Sequence, residues 1–140
     1  MKRQSPIALT RISDSGQVLA DPARDIRGRK VRDRDGNDLG KVDDLLVDSQ
    51  QHKVRMLRVE HGGILGLGAT HSFILVDAVT NISDDTVWVS ESRDRVSDAP
   101  RYDPDLVDES EYYESLYGYY GYPPYWGAGY VYPSYPLHRF

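Results

Sequence analysis

Gly28-Arg29-Lys30-Val31, then Asp35-Gly36-Asn37-Asp38-Leu39-Gly40-Lys41-Val42-Asp43-Asp44-Leu45-Leu46-Val47-Asp48, then Gly62-Gly63-Ile64-Leu65-Gly66-Leu67-Gly68 punctuate the stretch from Asp25 to Val79 that decides the fold. Short runs of Val, Ile and Leu alternate with turn chemistry roughly every eight to twelve residues, the rhythm of a small, tightly turned all-β structure. Arg29 to Asp33 reads as a first strand, and Asp35-Gly36 as its turn, because both positions tolerate positive φ. Asp38 to Val47 reads as a second strand. Its apolar positions Leu39, Val42 and Leu45 to Val47 break strict alternation, which predicts a bulge near Asp43. A third strand runs from Lys53 to Glu60, with Val54, Met56 and Val59 inward and Lys53 and Arg55 outward. His71 to Val76 is almost wholly apolar and predicts a buried fourth strand; Asp77-Ala78-Val79 turns into Asn81-Ile82. Thr86 to Ser90 closes the set, with Val87 and Val89 on one side. Strands this short and this closely turned predict a closed barrel.

Outward from this core the chain changes character. Residues 1–23 read as a flexible leader, broken by Ser13-Asp14-Ser15-Gly16 and Asp21-Pro22; Ile7, Leu9 and Val18 are its candidates for docking. Residues 24–92 form the barrel domain and 93–140 an extension. Glu91 to Val96 has room for one helical turn. Glu109 to Tyr120 predicts a helix whose Tyr112, Tyr113, Leu116, Tyr117 and Tyr120 share one broad face. Asp108 suits its N-cap, and Gly121 with Pro123-Pro124 ends it. All but Tyr102 of the 11 tyrosines, together with Trp126, lie between Tyr112 and Tyr135.

The net charge of -5 is unevenly spread. Asp98 to Tyr120 carries seven acidic residues and one Arg, whereas Arg24 to Glu60 carries ten Lys/Arg and eight Asp/Glu. No large basic face is available for phosphates, which argues against nucleic acid as a partner. The absence of cysteine excludes disulfides, thiolate metal sites and cysteine nucleophiles. No segment approaches the roughly 20 apolar residues of a transmembrane helix. The N-terminal apolar run is too short for a secretory signal, so a cytoplasmic location is expected.

Taken in order, these blocks resemble the PRC-barrel domain, the small β-barrel of the photosynthetic reaction-centre H subunit's cytoplasmic part and of a ribosome-maturation factor. The resemblance rests on Asp25-Ile26-Arg27-Gly28, on Asp33-Arg34-Asp35-Gly36 through Leu39-Gly40-Lys41-Val42-Asp43-Asp44, on the Gly62 to Gly68 connection and on Phe73 to Val79. It covers about residues 24–92. Residues 98–126 also resemble the tail of a stand-alone bacterial subgroup, in which an acidic helix ends in a string like Tyr120 to Trp126. The resemblance implies a β-barrel with a role in protein contact or assembly, and it carries over no catalytic residue.

The residues themselves offer little chemistry. Asp33, Asp35, Asn37 and Asp44 mimic part of a calcium loop, but Asp38 stands where that loop needs glycine, and the Asp-Gly turn already accounts for them. The glycines from Gly62 to Gly68 lead into a strand, not a helix N-terminus, so they do not form a phosphate loop. His61 and His71 flank that loop, with Glu60 beside them; without a third firm ligand they do not define a zinc site. No catalytic residue, cofactor or metal is therefore expected. Tyr and Trp join a large apolar face to a hydrogen-bonding tip, so the tail is read either as an intermolecular interface or as a strap on its own barrel. The interaction candidates are Ile64, Leu65 and Leu67 at the loop and Tyr112, Leu116, Tyr119, Tyr120, Tyr122, Tyr125 and Trp126 in the tail. The expected function is a non-enzymatic interaction and assembly module that self-associates, as a homodimer, through barrel and tail. The alternatives are an accessory factor in RNA–protein (ribosome) assembly and a metal- or ligand-binding regulatory module.

Overall fold

The computed structural model describes residues 9–12, 25–48, 53–61, 70–100, 109–127 and 129–133. Among the described residues, seven strands form one mixed sheet: β1 (Leu9–Arg11), β2 (Lys30–Arg32), β3 (Asp38–Asp48), β4 (Val54–His61), β5 (Thr70–Leu75), β6 (Val79–Ile82) and β7 (Thr86–Val89). Helices α1 (Arg93–Ser97) and α2 (Glu109–Tyr120) follow among the described residues. The strand order is β5-β4-β3-β2-β7-β6, with β1 added on β3. The pairs are antiparallel except β2 with β7, which run parallel. The β2–β3 turn has Gly36 at φ 86°, as the Asp-Gly signal predicts.

Two bulges set the faces. Val42 pairs with Val59 and Asp44 with Arg58, so Asp43 is the extra residue on β3; Leu46 pairs with Met56 and Val47 with Val54, so Arg55 is the extra residue on β4. Each bulge shifts the two-residue alternation by one. Leu39, Val42, Leu45, Val54, Leu57 and Val59 therefore join the inner core with Val31, Ile74, Val87 and Val89. Leu46, Met56 and Leu75, which face one another across three strands, turn to the outer side. This corrects the inward placement of Met56 and the outward placement of Arg55: the alternation read along Lys53 to Glu60 ignored the extra residue.

The sheet is open, which corrects the expectation of a closed cylinder. Among the described residues β5 and β6 are its two edges, and no ladder joins them. A 3-10 turn, Val76–Ala78, carries the chain from one edge to the other and places Val76 and Ala78 in the inner core where a closing ladder would run. β6, whose first residue Val79 is read from the sequence as part of a turn, pairs with β7. Leu9 to Arg11, assigned to a loose leader, instead pair with Leu46 to Asp48, prolonging the side of β3 that β2 leaves free.

Helix α2 has the bounds the sequence predicts, and Gly121 at φ 78° ends it. Asp108, its expected N-cap, lies outside the described residues. The helix lays Tyr112, Tyr113, Leu116, Tyr117 and Tyr120 on the outer apolar row. Two cores result, one inside the bent sheet and one between its outer face and α2.

Candidate functional site

The outer sheet face is divided in two. Its apolar half is covered by α2 and the segment that follows. Phe73 meets Tyr112 and Tyr113 edge to face, with ring centroids 5.7 and 6.4 Å apart, and the Tyr120 hydroxyl donates to the Phe73 carbonyl at 2.9 Å. Tyr117, Tyr125 and Trp126 form a second aromatic group, with Tyr117 and Trp126 5.1 Å apart. The Tyr122 and Ser90 hydroxyls share a hydrogen bond of 3.1 Å, and Tyr119 donates to the Arg95 carbonyl. Thus Tyr112, Leu116 and Tyr120 are buried on this chain's own sheet, while Tyr119, Tyr122, Tyr125 and Trp126 are half-buried there. Burial pushes the phenols of Tyr117, Tyr120 and Tyr130 well above their ordinary pKa, so these rings stay neutral and apolar contact is kept.

At the centre of this strap lies a residue the sequence reading placed outward. Arg55, 2% exposed, pairs with the equally buried Asp48 through Nη2 and Oδ2 at 3.1 Å. Its guanidinium faces the rings of Tyr125, Tyr132 and Tyr130 at 4.2, 5.3 and 5.8 Å from their centroids. The tail is held further by Tyr130 donating to Asp77 Oδ2 at 2.8 Å and Tyr132 donating to the Val54 carbonyl at 3.0 Å. Lys53 Nζ lies 4.8 Å from the Tyr132 centroid. The available signal was an Arg set directly between the apolar Val54 and Met56.

The other half of the outer face is charged. Thr86, Lys30, Lys41, Glu60 and His71 form one row across five strands, each opposite the next. A groove of about 400 Å³ opens beside it, lined by Lys30, Arg32, Asp38, Lys41, Glu60 and His61. Gly40, at φ 119°, lets β3 pass so close to β4 that a Cβ there would lie 2.2 Å from the Glu60 carbonyl oxygen. Next along the face, Arg58 grips Asp43 with both nitrogens, Nε to Oδ1 and Nη2 to Oδ2 at 3.0 Å, and His71 Nε2 approaches Asp43 Oδ2 at 3.2 Å. His61 does not join His71. It turns to the Ser72 hydroxyl at 3.3 Å, and strand alternation sends Ser72 away from His71.

Asp33 plays a structural part. Fully buried, its Oδ1 accepts the backbone N–H groups of Asp35 and Asn37 at 2.8 Å, and its Oδ2 accepts from Asn37 Nδ2 at 3.1 Å and from the Arg93 N–H at 2.9 Å. Burial pushes its pKa up, but donation from Asn37, Arg93 and Asp35 outweighs this and holds the carboxyl below its ordinary value. These four donors engage both Asp33 oxygens in the turn itself. Ile64, Leu65 and Leu67 lie outside the described residues. Among the described residues, Val131 is the only large apolar side chain left exposed, and no helix is long and apolar enough to cross a membrane.

Comparison with protein families gives one assignment: the family described as PRC-barrel domain matches residues 20–96. Comparison with curated proteins gives no match.

Proposed function

Because this chain belongs to the PRC-barrel family, we propose that it is a non-enzymatic protein-interaction and assembly module that self-associates through the charged half of its sheet, with the aromatic tail as its own strap. The observation that carries this reading is how the two halves of the outer face are used. The apolar half, and the tail residues that looked like contact residues, are spent on one another; the half left to solvent is the row through Lys30, Lys41, Glu60 and His71. A basic groove with Lys30, Arg32 and Lys41 complements the acidic run from Asp98 to Glu114 of a second copy, and reciprocal contacts give a closed two-fold pair.

The non-enzymatic reading is supported by the buried charged groups among the described residues. Asp33, Asp44, Asp48, Arg55 and Glu91 each engage in a structural hydrogen bond or ion pair. Sedimentation of the full chain tests the proposal. A dimer at low salt that dissociates in high salt, and is monomeric as the Lys30→Glu/Lys41→Glu variant, is expected. A monomer at low salt ends the case for self-association.

A further inference from the structure

We propose that Asp43, Glu60 and His71 form a surface site for a divalent transition-metal ion of the zinc class. Two features of the ladder bring them together: the β4–β5 register sets Glu60 opposite His71, and the β3 bulge adds Asp43 to the same group. One ligand atom from each lies within 4.8 Å of the others. His71 Nε2 and Asp43 Oδ2 are 3.2 Å apart. Two ligands of one tetrahedral ion, each bonded at about 2.0–2.1 Å, stand roughly 3.3 Å apart, so this pair already has the required spacing. Rotation of the Glu60 side chain supplies the third ligand.

The surroundings suit a cation. Arg58 holds Asp43 by both carboxylate oxygens, Oδ2 included, as an outer-shell partner that orients a ligand. Asp44 Oδ2 stands 4.0 Å from the same guanidinium, and Lys41 lies opposite Glu60. These three carboxylates offset the charge of Arg58, of Lys41 and of Arg27, which acts on Asp44, so an ion would be held by its ligands and not by an excess of negative charge. Imidazole plus two carboxylates is a nitrogen–oxygen set suited to zinc, not the all-oxygen cage of calcium. Three protein ligands, with His71 reaching solvent, leave a fourth position for water.

Calorimetric titration of the full, metal-stripped chain with zinc, alongside the visible spectrum with cobalt(II), tests the site. One ion per chain is expected, with a cobalt spectrum of low coordination number and binding at least about tenfold weaker in His71→Ala and in Glu60→Gln. His61→Ala and the His52→Ala/His138→Ala variant are expected to bind as the parent does. His71 is solvent-exposed, and unchanged thermal unfolding without metal verifies that its variant folds. Equal binding by His71→Ala and the parent, or no stoichiometric uptake by the parent, would overturn the proposal.

Discussion

The guanidinium of Arg55 lies 4.2 Å from the ring centroid of Tyr125, although 70 positions separate them in the chain. The β4 bulge turns Arg55 under the tail, Asp48 neutralises it, and the tail rings close over the pair. Removing one partner of a buried ion pair leaves the other charge uncompensated, at a cost of about 3–5 kcal/mol. Arg55→Met is therefore expected to lower thermal stability sharply and to speed proteolysis after Tyr120. Arg55→Lys keeps the charge but loses the planar stack, and is expected to fall between the two. Parent-like stability and proteolysis in Arg55→Met would show that the clasp contributes nothing.

Leu116 is fully buried between α2 and the outer row of Leu46, Met56 and Leu75. Leu116→Ala is expected to cost about 2–5 kcal/mol by loss of burial and the cavity left behind. Tyr120→Phe removes only the hydroxyl that donates to the Phe73 carbonyl, about 1 kcal/mol. Chemical denaturation of both variants measures the difference, and equal losses would be inconsistent with the packing described.

A chain ending at Pro100 bares the outer apolar row. It is expected to bind a hydrophobic dye, and to associate further or precipitate, where the full chain does neither. Light scattering on the two chains decides this; a well-behaved, dye-negative short chain would mean that the strap is dispensable.

Asp33 and Asp77 predict opposite responses to pH. The folded pKa of Asp33 is depressed, so its stabilisation is present above its ordinary value of 3.8 and is lost as pH falls through the lower folded value. Asp77 is raised, first by burial, against which the Tyr130 hydroxyl works. Its charged form therefore costs stability at neutral pH, and that cost is relieved as pH falls through the raised value. Asp77→Asn should accordingly raise the unfolding midpoint at pH 7, with the gain shrinking in acid. Asp33→Ala should lower it, since each backbone donor left without a partner costs about 1–3 kcal/mol of stability. Thermal unfolding against pH reads both signs.

Gly40→Ala meets backbone, not a pliable side chain: its Cβ would lie 2.2 Å from the Glu60 carbonyl oxygen, at a φ of 119° that alanine disfavours. A loss of at least about 2 kcal/mol is expected, with weakened protection of the β3–β4 amides in hydrogen exchange. Full protection in the variant would contradict the close approach.

The turns were legible because their chemistry is local. Asp35-Gly36 gives the β2–β3 turn, the broken alternation around Val42 gives the Asp43 bulge, and Gly121 gives the end of α2. The second bulge was not legible, since Val54-Arg55-Met56-Leu57 has the composition of an ordinary strand and nothing local marks Arg55 as the extra residue. That one residue decides whether Arg55 faces water or Tyr125, so the clasp escaped the sequence reading along with it. The approach of Asp43 to His71 depends on two registers at once, neither of which spacing along the chain reveals.

By itself, the sequence determined a strand-rich fold and a helix over Glu109 to Tyr120 followed by tyrosines, because turn residues, side-chain period and helix stops act over a few neighbours. Only the tertiary structure decided that the sheet stays open, that the tail seals its own chain's apolar half, and that charge is left on the remaining half. Those outcomes depend on which face each bulge hands to distant partners, and burial is a property of the whole assembly of strands.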